Sequence, residues 1–132
     1  MTDIITRIKA HLKIDQVQVA YATGHNPGVD TVKSVAMCAG SGGDMLGGHP
    51  ADVYFTGEMA HHEVLAAIAS GHNVILCGHT NTERGYLPTL AKRLSQELQV
   101  EADTETDSTH ASFLRGLRVD ISTQDKHPLQ IV

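Results

Sequence analysis

His79 and Glu83 stand four residues apart in the stretch GHTNTERG, residues 78–85. Asn73 to Cys77 form a short apolar run of the length of a buried strand, and Gly78 breaks it. A helix is expected to begin there, and a four-residue step puts both side chains on one helical face. An imidazole and a carboxylate side by side at a strand exit make one edge of a metal site. His-x-x-x-Glu is common by chance. Its place at the carboxyl end of a strand, where open α/β sheets hold their ligands, gives it weight.

A second group, Glu58, His61 and His62, lies in GEMAHHEVL just past another apolar run. Glu58 to His62 is again a four-residue step, which makes Glu58 a candidate ligand or general base. The plainer alternative is that Glu58 complements a helix dipole while both histidines face water. A third group is the loop AGSGG, residues 39–43, whose backbone N–H groups could face a phosphate or carboxylate. It matches neither a dinucleotide fingerprint nor a Walker loop. A tight turn that needs glycine for positive φ explains it as readily. Cys38 and Cys77 each close an apolar run and read as buried, reduced thiols. Nine histidines are many for this length and direct attention to metal, although several lie in polar stretches.

These groups need elements to hold them. Ile4, Ile5, Ile8 and Leu12 recur at helical spacing over residues 3–13, with Thr2 or Asp3 as N-cap. Residues 16–22 alternate and read as a half-buried strand. A Gly/Asn/Pro loop follows over 23–30, with His25 read as solvated. Further strands are expected over 32–38, 52–56 and 73–77. A helix over 57–71 carries Met59, Val64, Leu65, Ile68 and Ala69 on one face and ends at Gly71. The helix after His79, with Thr80 or Asn81 as N-cap, has an apolar stripe of Leu87, Leu90, Ala91, Leu94 and Leu98. Pro88 near its start separates the first turn from the rest. Residues 101–111 are acidic and poor in apolar groups and read as an exposed loop, within an exposed insertion expected over 100–116. Leu117 to Ile121 read as a last strand, and the apolar tail ending Ile131–Val132 is expected to pack down.

Strands alternating with helices argue one α/β domain over residues 1–132, a mixed, partly parallel sheet flanked by helices. Right-handed crossovers would bring the AGSGG loop, Glu58 and the His79/Glu83 pair to one edge of that sheet. A chain of this length buries roughly two-thirds of its unfolded surface, enough for a core without disulfides. With 41% apolar residues, 4% aromatics and no Trp, that core must be aliphatic. There is no apolar run of about 18 residues and no signal-peptide pattern in MTDIITRIKAHL, so a cytoplasmic chain with no membrane contact is expected. A net charge of −5 argues against direct nucleic-acid binding, which needs a basic face.

The runs VAMCAGSGGDML (35–46), ADVYFTGEMAHHEVL (51–65), NVILCGHTNTERGYL (73–87) and the closing HPLQIV resemble, in the same order, the carboxyl-terminal half of the NIF-three-like family. That family was first named for interaction with a yeast transcriptional adaptor, and is also labelled GTP cyclohydrolase I type 2. The resemblance implies a dinuclear metal site whose GHxxxE ligands fall on His79 and Glu83. The TGE glutamate, Glu58, would lie beside that site as a ligand-supporting group. The other family ligands, two adjacent histidines and an aspartate, belong to an amino-terminal half that this sequence does not show. His61 and His62 sit in a different motif and do not take the ligand role. The resemblance also implies homo-oligomers.

Two protein ligands cannot hold two metal ions tightly, since such sites use three or four per metal. The expectation is therefore half of a dinuclear metal-binding protein with an interaction or regulatory role. The alternative is a metal-dependent hydrolase of a nucleotide or phosphate ester, completed by oligomerisation or by a partner protein supplying the missing ligands. In that alternative Glu58 positions or deprotonates the water and AGSGG holds the anion. The metal would be Zn, Fe, Mn or Co, which His plus carboxylate suits alike. A third reading is a regulatory binding module without metal.

Overall fold

A computed structural model describes residues 1–124 and 127–129. Elements follow in the order α1 (Thr2–Leu12), β1 (Gln18–Ala20), β2 (Val35–Ser41), α2 (Gly43–Leu46), β3 (Val53–Glu58), α3 (His61–Ala69), β4 (Asn73–Leu76), α4 (His79–Glu83), a 3-10 turn (Arg84–Tyr86), α5 (Leu87–Thr104) and α6 (Ser108–Gly116). Met1–Arg84 and Gly85–Pro128 form separate compact units.

The first unit is an α/β sheet of order β1-β4-β3-β2. β2, β3 and β4 run parallel, and β1 pairs antiparallel with β4. Successive strand residues point to opposite faces, so Val53 and Ile75 go one way and Tyr54 and Val74 the other. On one face Val53, Ile75 and Cys77 bury against Ile4, Ile5, Ile8 and Leu12, the whole predicted stripe of α1. On the other, Leu46, Tyr54, Ala67 and Val74 pack with Met59, Val64 and Ile68. Each large side chain so buried contributes about 1.5–3 kcal/mol. Leu65, expected on that inner face, is 49% exposed.

The amino ends of the strands are tied by side chains. Asp52 Oδ2 accepts from the backbone N–H groups of Lys33 (2.6 Å) and Ser34 (2.9 Å) ahead of β2. The Lys33 N–H, helped by that of Ser34 and opposed by burial, holds the Asp52 carboxyl below its ordinary value. Asn73, buried, accepts from Ala22 N–H and donates to Asp52 carbonyl, each at 3.0 Å. The following loop folds on itself, with Asn26 N–H donating to Asp30 Oδ2 at 2.7 Å. That closure buries His25, whose side chain is 8% exposed and whose ring stacks on Tyr21, where a solvated histidine was expected.

In the second unit α5 and α6 pack together. Pro88 sits in the first turn of α5, after the separate short helix and 3-10 turn, as its position in the sequence suggested. Residues 101–111, expected as an exposed loop, instead complete α5 and begin α6. Asp107 caps α6 by accepting from Thr109 and His110 N–H, and Ala102 and Ala111 are buried. Local capping and two small buried residues make the helices there despite the polar composition. Leu117 to Ile121 form no strand. The closing Ile131–Val132 lie outside the described residues.

Candidate metal centre

The carboxyl ends of β2, β3 and β4 meet at one edge of the sheet, and each contributes to the site. β2 bulges there. Cys38 pairs with Thr56 but Ser41 with Glu58, three steps against two, and the extra residue is absorbed around Gly40 at φ 68. β4 leaves through Gly78, whose φ of 83 turns the chain into α4. Glycine, not the expected Thr80 or Asn81, occupies the N-cap. Asn81 lies inside the helix and donates to Cys77 carbonyl at 2.7 Å.

α4 lies directly on the backbone of β3. A Cβ on Gly57 would meet Gly40 carbonyl at 2.6 Å, Thr82 Oγ1 at 2.7 Å and His79 Cα at 2.9 Å. That closeness puts the last residue of β3, Glu58, beside His79. Glu58 Oε1 accepts a hydrogen bond from His79 Nδ1. The other ring nitrogen, Nε2, lies 3.3 Å from Glu83 Oε1. Gly40 walls this pair, since a Cβ there would stand 2.7 Å from Glu83 Oε1 and 3.1 Å from His79 Nε2. One imidazole thus has a carboxylate on each nitrogen.

The sequence placed Glu58 at the start of a helix, four residues before His62. It ends a strand instead, and α3 begins at His61 with Glu63 accepting from Ala60 N–H. His61 and His62 are exposed, as the water-facing alternative had it. The AGSGG glycines are required by contacts. A Cβ on Gly42 would strike Thr56 Oγ1 at 2.5 Å, and one on Gly43 would overlap the Glu63 carboxylate. Gly40 N–H donates to Thr82 Oγ1 and Gly42 N–H to Glu58 carbonyl, so two of the loop's N–H groups are engaged within the protein. Cys77 is buried and Cys38 half-buried, both as free thiols, and burial pushes the Cys77 thiol up to about 11.

The side chains of His79, Glu58 and Glu83 are 40%, 57% and 50% exposed. Ion pairs that wet contribute about 0–1 kcal/mol, so the trio does little for stability. Its donor set does fit part of a metal shell. With metal–ligand bonds of about 2.0–2.2 Å, neighbouring ligand atoms stand about 3 Å apart, close to the 3.3 Å between Nε2 and Oε1. A carboxylate on the far nitrogen is the usual support for a metal-binding imidazole, because it fixes which nitrogen carries hydrogen. Among the described residues no group of three or more His, Cys, Asp or Glu gathers to hold an ion. No helix of the described residues is long and apolar enough to cross a membrane.

The family model described as Duf34/NIF3 (NGG1p interacting factor 3) matches residues 1–111. NIF3-like protein 1 of Rattus norvegicus is 41% identical over 132 residues, all of this chain and 31% of that protein. NGG1-interacting factor 3 of Saccharomyces cerevisiae is 40% identical over 100 residues, 74% of this chain and 35% of that protein. The chain thus spans about a third of the length of these curated relatives. Among solved structures, the Staphylococcus aureus hypothetical protein SA1388 superposes with a TM-score of 0.67 at 24% identity, over 98% of this chain and 38% of that one, a likeness of fold.

Proposed function

The chain belongs to the Duf34/NIF3 family, and on that footing we propose that it carries part of a divalent-metal centre. His79 Nε2 and Glu83 supply two ligands, and Glu58 holds the His79 ring by its other nitrogen. The observation that carries this is the imidazole set between two carboxylates, with Nε2 and Oε1 at the spacing of neighbouring ligands. The remaining ligands come from outside the described residues, from a second copy of the chain or from a partner protein. A divalent ion bound there would supply Lewis acidity. Glu58 acts as a positioning group, its Oε1 engaged by His79. Two of the AGSGG loop's N–H groups are spent within the protein, on Thr82 and Glu58.

The role of such a centre follows from its incompleteness. Two ligands leave the ion open to whatever completes its shell, which fits a chain that works in assembly with another. The yeast relative is named as an interaction factor, and an interaction role is carried here on that likeness. Hydrolysis of a nucleotide or phosphate ester, the second reading, is favoured by the exposure of the donor pair, which gives a substrate access.

Titrating the purified chain with Zn(II) or Co(II) by calorimetry tests the proposal. Binding that is weak, near one equivalent, and lost in both His79→Ala and Glu83→Ala supports it. Binding that survives both substitutions would exclude these residues from the site.

A further inference from the structure

α4 is a five-residue helix with no buried residue and no side-chain cap. Core packing therefore does not set where it sits, yet it carries both proposed ligands. Besides the bond from His79 to Glu58, two side-chain tethers among the described residues hold it. Asn81 reaches back to Cys77 carbonyl at the end of β4. The other tether is Thr82, one residue before Glu83 and three after His79. Its hydroxyl accepts from Gly40 N–H at 2.9 Å and donates to His79 carbonyl at 2.8 Å. A hydroxyl can do both at once, one proton out and one lone pair in. The same oxygen rests where Gly57 lacks a Cβ, so it is trapped between the backbones of β2, β3 and α4.

We propose that Thr82 is a positioning residue that fastens α4 to the β2 bulge and so sets the distance between His79 Nε2 and Glu83 Oε1. This rests on the metal reading above and names what regulates the geometry of that site. Ligand geometry is sensitive to such support. Removing an outer hydrogen-bond partner typically lowers metal affinity about 10–100-fold. Thr82→Val keeps the shape and removes both bonds, whereas Thr82→Ser keeps both.

The experiment is a Co(II) titration of the intact chain, followed by visible absorption and calorimetry at a temperature where every variant is folded. Thr82→Val should bind about tenfold or more weakly, and Thr82→Ser should return to within about threefold of the parent. Asp107→Ala, which removes the α6 cap in the other unit, controls for general loss of stability and should not change affinity. Should Thr82→Val fail to fold, Thr82→Ala takes its place with the same expectation. Equal affinity in Thr82→Val and the parent overturns the inference and leaves the metal reading intact. Equal weakening in Thr82→Val and Asp107→Ala also overturns it, as a stability effect. A parent chain that binds no Co(II), or binds it undiminished after His79→Ala, brings down the metal reading and this inference together.

Discussion

Glu58 accepts a hydrogen bond from His79 Nδ1 across 21 residues of sequence, which turns the other ring nitrogen toward Glu83. A carboxylate offers no proton in return, so Nδ1 is the donor, and the nitrogen left to face a metal is Nε2. Two elements make this contact possible. β3 delivers Glu58 at its last position, and Gly57 lets α4 lie against the strand.

If Glu58 orients the ring, its charge and its acceptor can be separated. Glu58→Gln keeps an acceptor for Nδ1–H and should weaken Zn(II) binding modestly. Glu58→Ala removes the support and should weaken it about 10–100-fold. Calorimetric affinities of the two variants at one pH check this, and equal affinity in Glu58→Ala and the parent would sever Glu58 from the site.

The two glycines beside α4 should respond differently to alanine. At Gly40 the new Cβ meets the end of a half-exposed Glu83 side chain, which can swing away, at a backbone φ of 68. Gly40→Ala should cost about 1–2 kcal/mol for the left-handed backbone and abolish metal binding while the fold survives. At Gly57 the new Cβ meets backbone atoms of Gly40 and His79, which cannot yield. Gly57→Ala should therefore be the less stable of the two in urea denaturation.

Asp52 predicts a pH dependence. Its folded pKa is lowered, chiefly by the Lys33 N–H, so the native state favours the ionised form. The stabilisation is complete above the unfolded value, about 3.9, and is lost as pH falls through the lower folded value. Asp52→Asn should be about 1 kcal/mol less stable than the parent at pH 7. The gap should be smaller at pH 2 than at pH 7. Urea midpoints at the two pH values check it, and a gap that widened in acid would reverse the sign of the effect.

Cys77, with its thiol raised to about 11 by burial, should be inert. At pH 8 in the native chain it should alkylate at least about tenfold more slowly than in the unfolded chain. Mass spectrometry of iodoacetamide-treated peptides measures this. Equal rates would mean that the site opens readily and that the Ile75–Cys77 side of the core is looser than its burial suggests.

Much of this was legible in the sequence where the cause is local. The α1 stripe, the apolar runs of β2, β3 and β4, and the four-residue step from His79 to Glu83 depend on neighbours along the chain. Where the structure departs from the sequence reading, packing between distant segments decided most outcomes and a local cap decided one. Glu58 looked like a helix residue because of His62, but β3 extends to it by pairing with Ser41. For the AGSGG loop the sequence left an anion cradle beside a glycine turn, and Thr82 and Glu58 occupy two of its N–H groups. Residues 101–111 looked too polar for helix, yet Asp107 caps one there. Thr82 had no signal beyond its place between two ligand candidates.

The central claim is that His79 offers Nε2 to a metal while Glu58 keeps Nδ1. Long-range proton–nitrogen correlation spectra of the nitrogen-15-labelled chain, recorded during Zn(II) titration, read both ring nitrogens directly. The Nε2 resonance of His79 should move to a metal-ligated position while Nδ1 stays protonated, and Glu83→Ala should weaken the change. Coordination through Nδ1, or a His79 ring untouched by saturating Zn(II), would contradict it.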